Sequence, residues 1–189
     1  MTNTQVTGCI LAGGRGLRMG GADKGLISWQ GKPLAQHMLE RLAPQVGKTI
    51  IVANRNLDRY QAFGVRVVSD QQSGYLGPIA GLATALALCE TPYLVSVPCD
   101  TPNFPTDLVS TLLAGLESDE ADVAVTFDGE QRQFLFALYR QELADSAESA
   151  LAAGERAVWR WHEKLKLTEV PFPNTQSAFA NFNSQNDVG

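Results

Sequence analysis

Short apolar runs without polar alternation recur along the chain, and a stretch of helical period or composition follows almost every one. The runs are Val6 to Ala12, Thr49 to Ala53, Val65 to Ser69, Tyr93 to Val97, Val123 to Phe127 and Phe134 to Tyr139. Runs apolar at successive positions belong to strands covered on both faces. Between them lie Pro33 to Leu42, Leu57 to Phe63, Pro78 to Cys89, Pro105 to Leu116 and Gln141 to Ala153, which carry helical patterns. This alternation predicts an α/β architecture: a mostly parallel sheet with helices on both faces and right-handed crossovers. Asp128-Gly129, placed between two strand-like runs, predicts one antiparallel excursion. A chain of 189 residues buries about 70% of its unfolded surface, so a single domain over 1–189 is expected. No internal repeat or low-complexity linker interrupts it. The segment from Pro171 to Gly189, rich in Asn and Pro, is expected to be an exposed tail.

Composition narrows the class of function. Fifteen Lys and Arg against twenty Asp and Glu give a net charge of -5 and a pI near 5.0. That balance argues against a broad surface for nucleic-acid phosphates and leaves room only for a local basic pocket. The longest nearly apolar run, Pro78 to Cys89, is too short to span a bilayer, and the N-terminal MTNTQVTG lacks the features of a signal peptide, so a cytoplasmic location is expected. Cys9, Cys89 and Cys99 are far apart and form no CxxC pair, while His37 and His162 are isolated; a preformed zinc cage is not expected.

In open α/β sheets, ligands bind beyond the carboxyl ends of the strands. After the first strand comes LAGGRGLRMGGADKGL, in which Gly13, Gly14, Gly16, Gly20 and Gly21 are interleaved with Arg15, Arg18 and Lys24. Glycines let the backbone approach an anion while the cations neutralise it, so this is a candidate phosphate loop; the alternative is a glycine hinge with solvated cations. Met19 stands where a dinucleotide fingerprint needs its third glycine, and Lys24 is followed by Gly25 rather than Ser or Thr, so neither that fingerprint nor an NTPase P-loop fits. Asp70 and Asp100 follow the third and fourth strands and fall on the same edge. Mg²⁺ chemistry on a triphosphate needs one or two such carboxylates, and Asp100 suits it best; an Asx turn before Pro102 is the alternative. Gly77-Pro78 opens a helix facing the same cleft.

These motifs together resemble the molybdenum cofactor guanylyltransferases, the MobA-type members of the nucleotidyltransferase superfamily. The similarity extends through GKPL (31–34), VANRN (52–56), VVSD (67–70), LGPIAGL (76–82), PCDTPNFP (98–105), AGERAVWRW (153–161) and FANFN (179–183). The resemblance implies a three-layer, Rossmann-like nucleotidyltransferase fold. It also implies transfer of GMP from GTP to the terminal phosphate of molybdopterin, with Mg²⁺ and release of pyrophosphate. Leu11, Ala12, Gly13, Lys24, Asp70 and Asp100 fall on GTP-contacting positions, and Asp100 on the magnesium position. Val52 stands where the family usually has Asn; either its main chain keeps that contact or Asn54 serves. Phe134 replaces a common proline, and Ser184-Gln185 a common Thr-Pro. Beside GTP and molybdopterin, the resemblance implies molybdenum-insertion and molybdoenzyme-maturation proteins as partners, with no nucleic acid and no membrane.

A phosphate monoester attacking an α-phosphate joins two anions, so catalysis is expected from charge stabilisation by loop amides, Arg15, Lys24 and metal on Asp100, with no side-chain nucleophile. Alternatives are transfer of CMP or another nucleotide to a phosphorylated small molecule, and a nucleotide-binding module without catalysis. In GERAVWRWHEK, Arg156, Arg160 and Lys164 at i, i+4 spacing predict one basic helical face, flanked by Trp159 and Trp161, either solvated or aimed at the pterin.

Overall fold

The computed structural model describes residues 3–14, 22–70, 76–173 and 175–182. Its strands are β1 (Asn3–Leu11), β2 (Ser28–Trp29), β3 (Lys32–Pro33), β4 (Val46–Val52), β5 (Arg66–Val68), β6 (Tyr93–Pro98), β7 (Val123–Phe127), β8 (Arg132–Arg140) and β9 (Leu167–Pro171). Its helices are α1 (Leu34–Leu42), α2 (Leu57–Gln61), α3 (Pro78–Ala87), α4 (Leu108–Ser118), α5 (Ala144–Ala152) and α6 (Val158–His162). Seven strands form one sheet in the order β5-β4-β1-β6-β8-β7-β9, and β2 and β3 make a small separate hairpin. Only β8 runs against its neighbours in the large sheet. The turn behind that reversal is the one at Asp128-Gly129: Asp128 Oδ1 accepts from the Glu130 and Gln131 amides at 2.8 and 2.9 Å.

Period-2 alternation sorts adjacent strand residues into two cores. Ile10, Ile51, Val95, Ala124 and Leu138 face α1, α2 and α4. Their immediate neighbours Cys9, Val52, Leu94, Val123 and Ala137 face α3, α5 and α6. Because both sets are buried, these strands show no polar alternation in sequence. Helix α1 buries Leu34, Ala35, Met38, Leu39 and Leu42 along one stripe, as a helix on one face of a sheet must. Helix α3 is instead buried nearly throughout, and its small residues let α5 pack close behind it.

Two expectations change, and one small element is added. The strand β9, parallel to β7, closes a sheet edge just before the segment expected to be an exposed tail, and Phe172 and Phe179 beyond it are buried in the first core. The hairpin β2–β3 is too short to show in the sequence pattern. The basic helical face does not form: α6 begins only at Val158. Arg156 precedes it, and its guanidinium donates to the carbonyls of Leu151 at 3.0 Å and Glu155 at 2.7 Å, capping the end of α5. Trp161 is buried and stacks on Tyr139 at 5.7 Å, whereas Trp159 is 42% exposed. The two tryptophans therefore do not act as a pair.

Candidate active site

The carboxyl ends of β1, β4, β5 and β6 open onto a cavity of about 620 Å³, lined among others by Leu11, Ala12, Gly13, Lys24, Val52, Asp70 and Asp100. The parallel order places these residues together: β1, the centre of the four, delivers Ala12 and Gly13 between the ends of β4 and β6. Helix α3 points its first turn into the same space, with Gly77 and Pro78 on the wall. Gly77 has φ +80°, and a Cβ there would collide with the Arg156 carbonyl oxygen, so the 155–157 segment seats against the helix entry only because position 77 has no side chain.

Lys24 and Asp100 meet at the cavity rim. Lys24 starts a 3₁₀ turn after the glycine loop, Asp100 ends the β6 extension, and Lys24 Nζ lies 3.1 Å from Asp100 Oδ2. Both are largely withdrawn from water, at 27% and 10% side-chain exposure. The Asp100 segment is held from behind by the chain's last described residues: the Phe182 amide donates to the Asp100 carbonyl at 2.8 Å, and Thr101 Oγ1 pairs with Asn181 Oδ1 at 2.8 Å. Phe182 also rests on Trp29, 4.9 Å between ring centroids. The FANF segment is thus part of the wall behind the site.

Across the cavity, Asn54 and Asp70 form a two-point pair. Asn54 Nδ2 donates to Asp70 Oδ2 at 2.7 Å, and the Asp70 amide donates to Asn54 Oδ1 at 3.0 Å. Burial pushes the Asp70 carboxyl above its usual range, opposed by the Asn54 hydrogen bond. Its other oxygen, Oδ1, is buried without a hydrogen-bond partner among the described residues and lies beside Gly81 of α3. A buried carboxylate oxygen of this kind has the capacity to accept a further hydrogen bond.

Val52 lines the cavity, and its carbonyl accepts the Ala12 amide at 2.8 Å. The same bond occupies the Ala12 N–H, and Gly13 and Gly14 follow it along the cavity wall. Leu11 packs in the second core and presents its edge to the cavity. Arg15, like Arg18 and Ser184-Gln185, lies outside the described residues. Among the described residues no group of three or more His, Cys, Asp or Glu forms a metal cage. A single buried carboxylate at an open cleft suits Mg²⁺, which keeps waters and draws its other ligands from substrate phosphate. Cys99, beside Asp100, is buried and its thiol is pushed strongly up by burial and then by the Asp100 charge, so it is inert as a nucleophile.

Sequence reasoning passed over Arg55 and Asp23, which meet at the base of the glycine loop; the VANRN and ADK motifs held both residues, yet nothing local to either indicated the other.

Residues 8–167 match the family described as the MobA-like NTP transferase domain. A molybdenum cofactor guanylyltransferase of Shewanella sediminis is 45% identical over 180 residues, covering 95% of this chain and 92% of the relative. The enzyme of that name from Shewanella amazonensis is 44% identical over 184 residues, covering 97% and 94%. The solved structure of molybdopterin-guanine dinucleotide biosynthesis protein A from Archaeoglobus fulgidus superposes with a TM-score of 0.78 at 24% identity, covering 96% of this chain and 94% of the other. A 4-diphosphocytidyl-2C-methyl-D-erythritol synthase from Anaerococcus prevotii shares the fold at TM-score 0.72 and 12% identity, covering 98% and 95%. With the glycine loop, Lys24, Asp70 and Asp100 gathered on one sheet edge and these matches running nearly end to end, the chain belongs to the MobA-like NTP transferase family.

Proposed function

We propose that this protein transfers GMP from GTP to the terminal phosphate of molybdenum-molybdopterin, forming the guanine dinucleotide cofactor and pyrophosphate. The observation that carries the reading is the meeting of Lys24 and Asp100, 76 positions apart, at 3.1 Å on the rim of a cavity floored by Ala12 to Gly14. A lysine is a compact charge for phosphate oxygens, and a carboxylate beside it serves no anion unless a metal joins them. Curated relatives at 45% identity bear the guanylyltransferase name, which supports GTP over CTP.

The residues divide the work by charge. Gly13 and Gly14 let the backbone approach the triphosphate, and Lys24 and Arg15 neutralise it. Asp70 supplies, through Oδ1, an acceptor for an N–H or O–H of the nucleoside, and Asn54 fixes its rotamer. Asp100 would hold Mg²⁺, which when bound spreads negative charge from the phosphate oxygens. The acceptor is already an anion, so the chain has only to bring the two phosphates into line and stabilise the departing pyrophosphate; no proton-abstracting base is required.

The test is an isotope partition. With [α-³²P]GTP, Mg²⁺ and molybdenum-molybdopterin, label should move to the pterin product, and with [γ-³²P]GTP it should appear only in pyrophosphate. Label from the γ position in the pterin product would make the protein a kinase and overturn the reading.

A further inference from the structure

One side chain touches both Gly14 and Ala22, the residues on either side of the glycine loop. Arg55 Nη2 donates to the Ala22 carbonyl at 2.9 Å and reaches the Gly14 carbonyl at 3.4 Å. The same guanidinium places Nε 3.7 Å from Asp23 Oδ2. Asp23 is fixed from two further directions: Asn56 Nδ2 donates to Oδ2 at 2.9 Å and Tyr60 OH to Oδ1 at 2.6 Å. Its side chain is only 6% exposed. Asn56 takes φ +51° to make this contact, a conformation asparagine tolerates better than most residues. Tyr60 is fully buried, and a Cβ at Gly25 would collide with its hydroxyl, so the tyrosine reaches Asp23 only past a glycine. Lys24 leaves the same backbone stretch toward Asp100.

We infer that Arg55 and Asp23, backed by Asn56 and Tyr60, are a positioning brace that holds Gly14 and Ala22 at a fixed spacing and so presets Gly14 and Lys24 for the nucleotide. The inference rests on the proposed GTP-binding role of that loop. The planar fork of arginine suits two carbonyls and a carboxylate at once, where lysine's single ammonium does not. A brace of this kind acts on the fraction of molecules in which Gly14 and Lys24 are set for the nucleotide. Apparent affinity falls in proportion to that fraction, whereas in the bound state Gly14 and Lys24 are set and the chemical step proceeds as before.

The experiment is titration calorimetry of GTP with Mg²⁺, paired with steady-state turnover on molybdenum-molybdopterin, for the full-length protein and its variants. Arg55→Ala is expected to weaken GTP binding about 10-fold, ~1.4 kcal/mol, raise KM for GTP in parallel and leave kcat within about twofold. Arg55→Lys is expected to recover less than half of the loss in free energy. Asp23→Ala with Arg55→Ala should be no weaker than the worse single variant, because both act through one brace. Unchanged GTP affinity in Arg55→Ala overturns the brace. A fall in kcat matching the fall in affinity also overturns it, since Arg55 would then touch the phosphates in the transition state. If Arg55→Ala does not fold, Tyr60→Phe carries the test: about threefold weaker GTP binding with kcat unchanged supports the brace, and unchanged affinity refutes it. Failure of the unmutated protein to bind GTP would instead refute the proposed function.

Discussion

Lys24 Nζ sits 3.1 Å from Asp100 Oδ2, so the cation proposed to meet phosphate is paired with the carboxylate proposed to meet metal. The pair balances two charges that burial would otherwise penalise. Removing the lysine takes away the ammonium that competes with a metal cation for Asp100 Oδ2. Lys24→Met is therefore expected to tighten Mn²⁺ binding to the nucleotide-free protein about 5- to 10-fold, measured by electron paramagnetic resonance, or about 1–1.4 kcal/mol. The same variant should lose about 10²- to 10³-fold in turnover, the scale of one preorganised charge donor. Unaltered Mn²⁺ affinity would mean that the pair does not compete with metal.

Asp100→Asn keeps the shape of the side chain and gives up its charge. Turnover is expected to fall below detection, while the melting temperature stays within a few degrees, because the Phe182 amide bonds to the main-chain carbonyl of Asp100 and not to its carboxylate. Retained activity in this variant would remove Asp100 from the metal role.

Arg156 acts in the structure as a helix cap. Arg156→Ala should cost about 1 kcal/mol of stability through the lost bonds to the Leu151 and Glu155 carbonyls, read as a lower urea midpoint. Glu155 holds the next turn in a similar way, accepting the amides of Ala157 and Arg156, which keep its carboxyl below the usual range. Unchanged stability with weakened molybdopterin binding would return Arg156 to the pterin site.

His162 supplies a pH signature of its own. It is buried, bonds through Nε2 to Tyr139 OH at 2.9 Å, and burial, aided by the Arg132 charge, pulls its pKa down from 6.5 to about 4. The unfolded chain takes up this proton near pH 6.5 and the folded chain only near pH 4, so stability is full above 6.5 and drains away as pH falls toward 4. The integrated loss is on the order of 3 kcal/mol. Urea unfolding at pH 7, 6, 5 and 4.5 should show His162→Gln losing less stability across this window than the unmutated protein. Parallel curves would contradict the burial argument.

Much of this molecule was legible before its coordinates. Strands buried on both faces announce themselves as apolar runs, so β1, β4, β6 and β7 were plain, and the carboxyl-edge rule then gathered Gly13, Asp70 and Asp100. What escaped was set by contacts distant in sequence. The short α6 carries a helical spacing that Arg156 does not share, because its guanidinium found the α5 carbonyls first. Phe172 and Phe179 follow a stretch of polar and proline residues that masks their burial, and the Arg55–Asp23 contact spans 32 positions with no local pattern to mark it.

The central claim is nucleotide transfer to molybdopterin with GTP as donor, and pyrophosphate release measures it most directly. GTP and CTP should each be offered with Mg²⁺, with and without molybdenum-molybdopterin. The account predicts pyrophosphate formed stoichiometrically with pterin product from GTP, at least about 10-fold slower release from CTP, and none from either nucleotide when the pterin is withheld. Equal release from CTP, or release from GTP that does not depend on the pterin, would contradict it.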